Sequence, residues 1–188
     1  MNKFVSSFTA APLAQGAVAR ISLAPPVARL VLRARGVLAA LNAALGVALP
    51  TTIGQRAGAG GVEVLCLGPD EWMLHMAPEQ VGAVTASCAA LMGSHPHSLV
   101  DVSGREVTLR IDGPRAAELL TIGCAREVEA IPVGQGRRTA FDNVTVILWR
   151  DEASVFRLDV WNSFAPHVTG LLETGCRELA AEAGQRPR

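Results

Sequence analysis

Several groups of residues have the types and spacing that chemistry uses. His95 and His97 flank Pro96 and could form a metal pair, yet two ligands one residue apart in a proline loop fall short of a zinc set and suit a solvated loop better. Asp101, Ser103 and Arg105 follow one another in "LVDVSGR" and could hold a polar ligand, or form a turn with a surface Asp–Arg pair. In "RIDGPRAAELLTIGC" (110–124) a strand meets Gly113-Pro114 and a helix is expected from Pro114. Free N–H groups at a helix start can cradle an anion, but neither the extra glycines nor the Lys-Ser/Thr of a phosphate loop follows. The turn therefore reads as a strand-to-helix joint, with proline at the first helical position.

Other chemistries lack their residues. "GAGG" (58–61) and "GQGRRT" (134–139) are incomplete dinucleotide fingerprints. Cys66, Cys88, Cys124 and Cys176 form no CxxC pair and sit among apolar neighbours, which reads as buried free thiols in a reducing compartment. His75 lies in "EWMLHM", a strand in which it is expected to face a sheet surface or a partner, and His167 follows Pro166 in the first turn of a helix. Neither histidine has a serine or cysteine nucleophile at a suggestive spacing.

The elements that would position these residues follow from periodicity. "VARISL", "ARLVLRAR", "VEVLCLG", "EWMLHM", "SLVDVS", "REVTLRI", "GRRTAF", "NVTVILW" and "VFRLDVW" read as strands. Helical spacing recurs at Val37, Leu38, Leu41 and Leu45, and at Val81, Val84, Cys88 and Leu91. It appears again after Pro114 and in a last helix from about Phe164 to Leu179, with Ser163 as its N-cap. "QRAGAGG" reads as a loop. The rhythm of strand, strand, helix predicts an α+β fold of antiparallel sheets with helices on one face, built by repeating a split ferredoxin-like unit. The expected divisions are an arm at 1–16, a globular unit at 17–180 with halves at about 17–97 and 98–180, and a tail at 181–188. The arm carries Phe4 and Phe8, apolar groups expected to order in a complex.

With 188 residues, 49% apolar content and a formal charge of +0, the chain suits one globular body without a metal or disulfide staple. The balanced charge argues against nucleic acid. The absence of a long apolar run argues against a membrane, and a cytoplasmic protein is expected.

Two sets of residues suggest a partner surface. Alternation in 28–35 places Arg29, Arg33 and Arg35 on the face away from Leu30 and Leu32. Arginine's planar fork is suited to carboxylates across an interface. Trp161 ends a strand whose Phe156, Leu158 and Val160 point inward, so it is expected to face out as an anchor.

Four stretches in order, "LGPDEWML" (67–74), "LVDVSGREVTLRIDGPRAAELLTIGC" (99–124), "IPVGQGRRTAF" (131–141) and "FRLDVWNSFAPHVTGLL" (156–172), resemble the gamma subunits of heterotetrameric sarcosine oxidases. The wider resemblance is to the folate-binding fold of glycine-cleavage aminomethyltransferases, and it runs from about 17 to 176. It implies a non-catalytic assembly subunit partnered by alpha, beta and delta chains, mainly alpha. Such a complex demethylates sarcosine to glycine, passing the one-carbon unit to tetrahydrofolate or releasing formaldehyde. FAD, FMN, NAD, tetrahydrofolate and zinc would sit in the partner subunits, with no cofactor, metal or catalytic residue in this chain. Related roles are the matching subunit of an N-methylglutamate dehydrogenase and a free-standing folate-dependent aminomethyltransferase. Gly134, Gly136, Arg138 and Thr139 match the folate-using relatives, but the acidic motif that should follow is reduced to Asp142 beside Asn143, in an expected hairpin turn. Asn162 stands where the gamma subunits often have arginine.

Overall fold

The computed structural model describes residues 10–16, 18–36 and 38–185. The chain forms two compact units, and they are not its two halves. Residues 27–104 make one, while the described residues up to 26 join those from 105 onward in the other.

The 27–104 unit runs β3 (Ala28–Ala34), α1 (Ala39–Leu45), β4 (Arg56–Ala59), β5 (Val62–Gly68), β6 (Glu71–Met76), α2 (Val81–Ala89) and β7 (His97–Asp101). Its sheet has the order β4-β5-β6-β3-β7, with every pair antiparallel. With β4 set aside, this is the split βαβ arrangement, with the fourth strand beside the first. Leu30, Leu32, Val64, Trp72 and Leu74 meet Leu41 and Leu45 of α1 and Val84 and Cys88 of α2 in one core. Helix α1 ends where Gly46 turns left-handed at φ 68°.

The other unit repeats the plan with one substitution. Its elements are β8 (Glu106–Asp112), α3 (Ala116–Leu120), β9 (Gln135–Phe141), β10 (Val144–Glu152), β11 (Val155–Trp161) and α4 (Ala165–Gln185). The place of its fourth strand is taken by β2 (Arg20–Leu23), from the start of the chain. With β1 (Ala11–Gln15) outside it, the sheet order is β1-β2-β8-β11-β10-β9. Leu109, Ile111, Phe141, Phe156 and Leu158 pack against Leu119 and Leu120 of α3 and Val168 and Leu172 of α4.

The borrowed strand corrects the expected boundaries. Pairing of Ile21 with Ile111 and Leu23 with Leu109 carries residues before Pro26 away from β3, so the divisions fall at 26/27 and 104/105 rather than at 97/98. For the same reason the neighbours β2 and β3, and likewise β7 and β8, are not pairs. Of the expected arm, residues 11–15 are a strand on β2; Phe4 and Phe8 lie outside the described residues. The tail begins later than expected, because α4 continues to Gln185. "QRAGAGG" is no loop: Arg56–Ala59 pairs with Val62–Leu65 around a Gly60-Gly61 turn, both glycines at positive φ.

The turn after β8 is a joint. The Gly113 N–H donates to the Ser154 carbonyl at 3.1 Å and the Arg115 N–H to the Val18 carbonyl at 3.1 Å, so backbone oxygens already occupy these donors. Gly113 has φ 144°, and a Cβ there would lie 2.6 Å from the Ala19 Cα. Helix α3 starts at Ala116, which places Pro114 inside the turn closed by the Ala116 N–H and Gly113 carbonyl rather than at the first helical position.

Candidate partner interface

The sheet face of β8, β10 and β11 away from the helices carries a polar cluster. Asp159 is buried and accepts from Thr108 Oγ1 at 2.5 Å and from Trp149 Nε1 at 2.6 Å. Beside it the Arg157 guanidinium lies 4.8 Å from the Trp149 ring centroid and grips Asp151 through Nε at 2.6 Å and Nη2 at 2.8 Å. This is the arrangement of a structural network, in which a buried acid is bonded through both oxygens. The sequence reading missed it, although Thr108, Trp149 and Asp159 all alternate with core residues.

The other candidate chemistries separate in space. Asp101 Oδ1 accepts from Ser103 N at 2.9 Å and Oγ at 2.5 Å, closing a local turn, while Arg105 turns to Glu106 at 2.8 Å, so the expected Asp–Arg pair does not form. The His95 ring bonds Ser94 Oγ at 2.9 Å and His97 Nδ1 meets the His95 carbonyl at 2.7 Å. Among the described residues no three His, Cys, Asp or Glu side chains gather where they could hold a metal. His75 alternates with Leu74 and Met76 of the helix-side core, so it faces the other side of the sheet, where it is 4% exposed. Asp142 stands in the β9–β10 hairpin turn at φ 52° and meets His167 Nε2 at 2.9 Å. That hydrogen bond holds its carboxyl below the ordinary range. The four cysteines are free and buried. Burial pushes the thiols of Cys66, Cys88 and Cys176 up.

The arginine row divides. Arg29 is 2% exposed and leaves the expected surface set; its guanidinium donates to the Val27 carbonyl at 3.2 Å. Alternation assigned its face, but that face is covered around Arg29. Arg33 and Arg35 are exposed, Arg33 paired at 2.9 Å with Glu71 at the start of β6 and Arg35 at 2.7 Å with Asp70 of the β5–β6 turn. The Arg35 hydrogen bond lowers the Asp70 pKa. Trp161 does face out, at 46% exposure. Phe164 lies 6.4 Å away, centroid to centroid, and the Arg105 guanidinium 5.4 Å from the Trp161 ring centre. The Val168 N–H bonds the Phe164 carbonyl, so Phe164, not Ser163, occupies the cap position of α4. The helix start thus presents a second aromatic ring beside Trp161.

A match across most of the chain accompanies this geometry. The family described as "Sarcosine oxidase, gamma subunit family" matches residues 33–177. The chain belongs to this family. Sarcosine oxidase subunit gamma of Corynebacterium sp. (strain U-96) is 34% identical over 146 residues, covering 76% of this chain and 70% of the relative. That of an Arthrobacter species is 41% identical over 115 residues, covering 60% and 56%. Among solved structures, a chain of the heterotetrameric sarcosine oxidase of Corynebacterium sp. U-96, in complex with pyrrole 2-carboxylate, superposes with a TM-score of 0.78. It is 29% identical, with 88% of both chains covered. Aminomethyltransferase T of the glycine cleavage system from Bartonella henselae superposes at 0.55 with 14% identity, over 86% of this chain and 50% of that one, a likeness of fold alone. Gamma-family membership and the aminomethyltransferase-like α+β fold agree with the resemblance drawn from the four sequence stretches. No helix among the described residues is long and apolar enough to cross a membrane.

Proposed function

We propose that this chain is the gamma-type assembly subunit of a heterotetrameric oxidase that demethylates sarcosine to glycine. The observation that carries the reading is the family match together with a superposition covering 88% of both chains. Its work is to bury surface against the other subunits, mainly the alpha chain, while FAD, FMN, NAD, tetrahydrofolate and zinc act in those partners. The Asp159 cluster supports a scaffold role, since its carboxylate is spent on Thr108 and Trp149. Trp161, Phe164 and Arg105 form the proposed contact, being the kinds of side chain that dominate binding energy when buried at an interface. Arg33 and Arg35 with their carboxylates would lie at a polar rim.

The experiment is to purify a tagged copy from its native host, identify the chains that accompany it and assay the assembly. Oxidation of sarcosine by the assembly, with a colourless and inactive isolated chain, is the expected result. Preference for N-methylglutamate would move the assignment to a related dehydrogenase. Tight binding of a reduced folate by the isolated chain would favour a transferase.

A further inference from the structure

The sheet face that carries Asp159 also carries arginines toward β2. Register places Arg110 of β8 between Ser22 of β2 and Arg157 of β11, and Asp112 between Arg20 and Val155. Ile21, Leu109, Ile111, Phe156 and Leu158 belong to the helix-side core, so Arg20, Ser22, Arg110, Asp112 and Arg157 share the opposite face. Like charges directly opposite in an antiparallel pair repel, as Arg110 and Arg157 do unless each meets an acid. Arg157 does, gripping Asp151 with Nε and Nη2 and lying against Trp149.

Arg110 is held less well. Its ion pair runs from Nε to Asp112 Oδ2 at 3.2 Å, and its Nη groups make no hydrogen bond among the described residues. Arg20 is exposed and forms no ion pair among the described residues. The half-buried Ser22 hydroxyl, which neighbours both, makes no hydrogen bond among them either. The other acids of this face are engaged elsewhere: Asp151 with Arg157, Asp159 with Thr108 and Trp149, Glu106 with Arg105. Glu152 stands beyond Val155 from Asp112 and forms no ion pair among the described residues. Residues 1–9 and 186–188 contain Lys3, Arg186 and Arg188 but no Asp or Glu, so they cannot supply the missing charge. Among the described residues Asp112 is thus the one acid beside two guanidinium groups.

On the assembly-subunit reading, we propose that Arg20, Ser22 and Arg110 form a docking point for an Asp or Glu side chain of another subunit. Arg110 offers its Nη groups and Ser22 a hydroxyl donor. Arg20, diagonal to Arg110 across the strand pair, brings a second guanidinium within reach of the same carboxylate. The incoming acid balances two guanidinium groups against two carboxylates. Arg110 exposes 42% of its side chain, so the site lacks the enclosure that holds a free small molecule. A carboxylate carried on a protein surface needs none, and arginine's planar fork is suited to it.

The test co-expresses the chain with the other subunits and measures the Kd of the assembly at low and high salt, with the Tm of each variant chain as a control for folding. Arg110→Gln and Arg20→Gln should each weaken assembly about tenfold at low salt and less at high salt. Asp112→Asn should strengthen it, because the internal acid no longer competes for Arg110. An arginine that only supports the fold through Asp112 would give the opposite sign. Wild-type affinity in both arginine variants, or weaker assembly of Asp112→Asn, overturns the proposal. So does saturable binding of succinate that Arg110→Gln abolishes while assembly is unchanged, which would give the site to a small anion. A wild-type chain that joins no other subunit rejects the assembly reading and this site with it, whereas assembly indifferent to Arg20 and Arg110 rejects the site alone.

Discussion

Trp149 Nε1 donates to Asp159 Oδ2 across 2.6 Å, joining β10 to β11 through side chains as well as through the ladder. The two residues are diagonal neighbours: Trp149 stands opposite Arg157, and Asp159 opposite Ile147 and Thr108. One acid therefore ties together β8, β10 and β11, and its charge is used for cohesion.

Asp159→Ala should destabilise the chain by about 3 kcal/mol, because it leaves a buried indole N–H and a buried hydroxyl without this acceptor. At this chain length that corresponds to a fall in Tm of roughly 6–12 °C. Thr108→Val, which removes one donor and keeps the shape, should cost less than half as much. Calorimetry of the two variants decides it; equal effects would show that the carboxylate does not organise the cluster.

The joint at Gly113 is equally specific. A Cβ would meet the Ala19 Cα at 2.6 Å and the Val18 oxygen at 2.8 Å, and the backbone there has φ 144°. Neither neighbour is a flexible side chain that can withdraw. Gly113→Ala should cost about 2 kcal/mol or more, read as a lower urea midpoint with an unchanged slope. A midpoint within error of wild type would mean that β2 can shift away.

Local pattern made most strands and helices legible, since alternation and 3.6-residue spacing are properties of a few neighbouring residues. Partner choice was not. β2 and β3 are separated only by a short link containing Pro25-Pro26, and proximity suggests a pair, yet β2 fills the fourth-strand place in the other unit. Strand β4 escaped because "RAGA" has no β-branched or aromatic residue and is held by its hairpin partner. Trp161 was legible as an outward residue because its inward neighbours are large. Arg29 was assigned to the right strand face but to the wrong environment, since alternation says nothing of what covers a face. Phe164 and Arg105 were missed as companions of Trp161 because they come from a helix start and from the turn before β8.

The pair of Asp142 and His167 predicts an acid limit. The carboxyl is held below its ordinary 3.8, chiefly by the His167 hydrogen bond. A depressed folded pKa contributes stability above the unfolded value, lost as pH falls through the folded one. His167→Ala should reduce stability at pH 5 but have progressively less effect below the folded-state pKa of Asp142. Denaturant titrations of both proteins across that range would show parallel curves if the bond contributes nothing.

Thiol chemistry offers a check on burial. Cys66, Cys88 and Cys176 are shielded and their pKa values raised, so little thiolate is present at neutral pH. The native chain should resist a charged disulfide reagent at pH 7.5 and release its thiols only in denaturant. Rapid reaction of any of these three in the native chain would mean that its core opens readily.

The last expectation concerns the aromatic patch at the end of β11. Trp161 and Phe164 expose 46% and 44% of their surface, and Arg105 sits over the indole. None of the three belongs to the helix-side core of their unit, so truncation there should leave folding intact. Trp161→Ala should shift Tm little but weaken assembly with the other subunits by about 2 kcal/mol, roughly thirtyfold in Kd. Arg105→Ala should do so less, because Glu106 already engages its guanidinium. Arg33→Glu reverses an exposed charge at the proposed rim, and should weaken assembly least of the three. Co-expression followed by size-exclusion chromatography ranks the variants, with circular dichroism confirming the fold of each. Unimpaired assembly of Trp161→Ala would remove the patch from the interface, and the reverse ranking would move the contact to the end of β3.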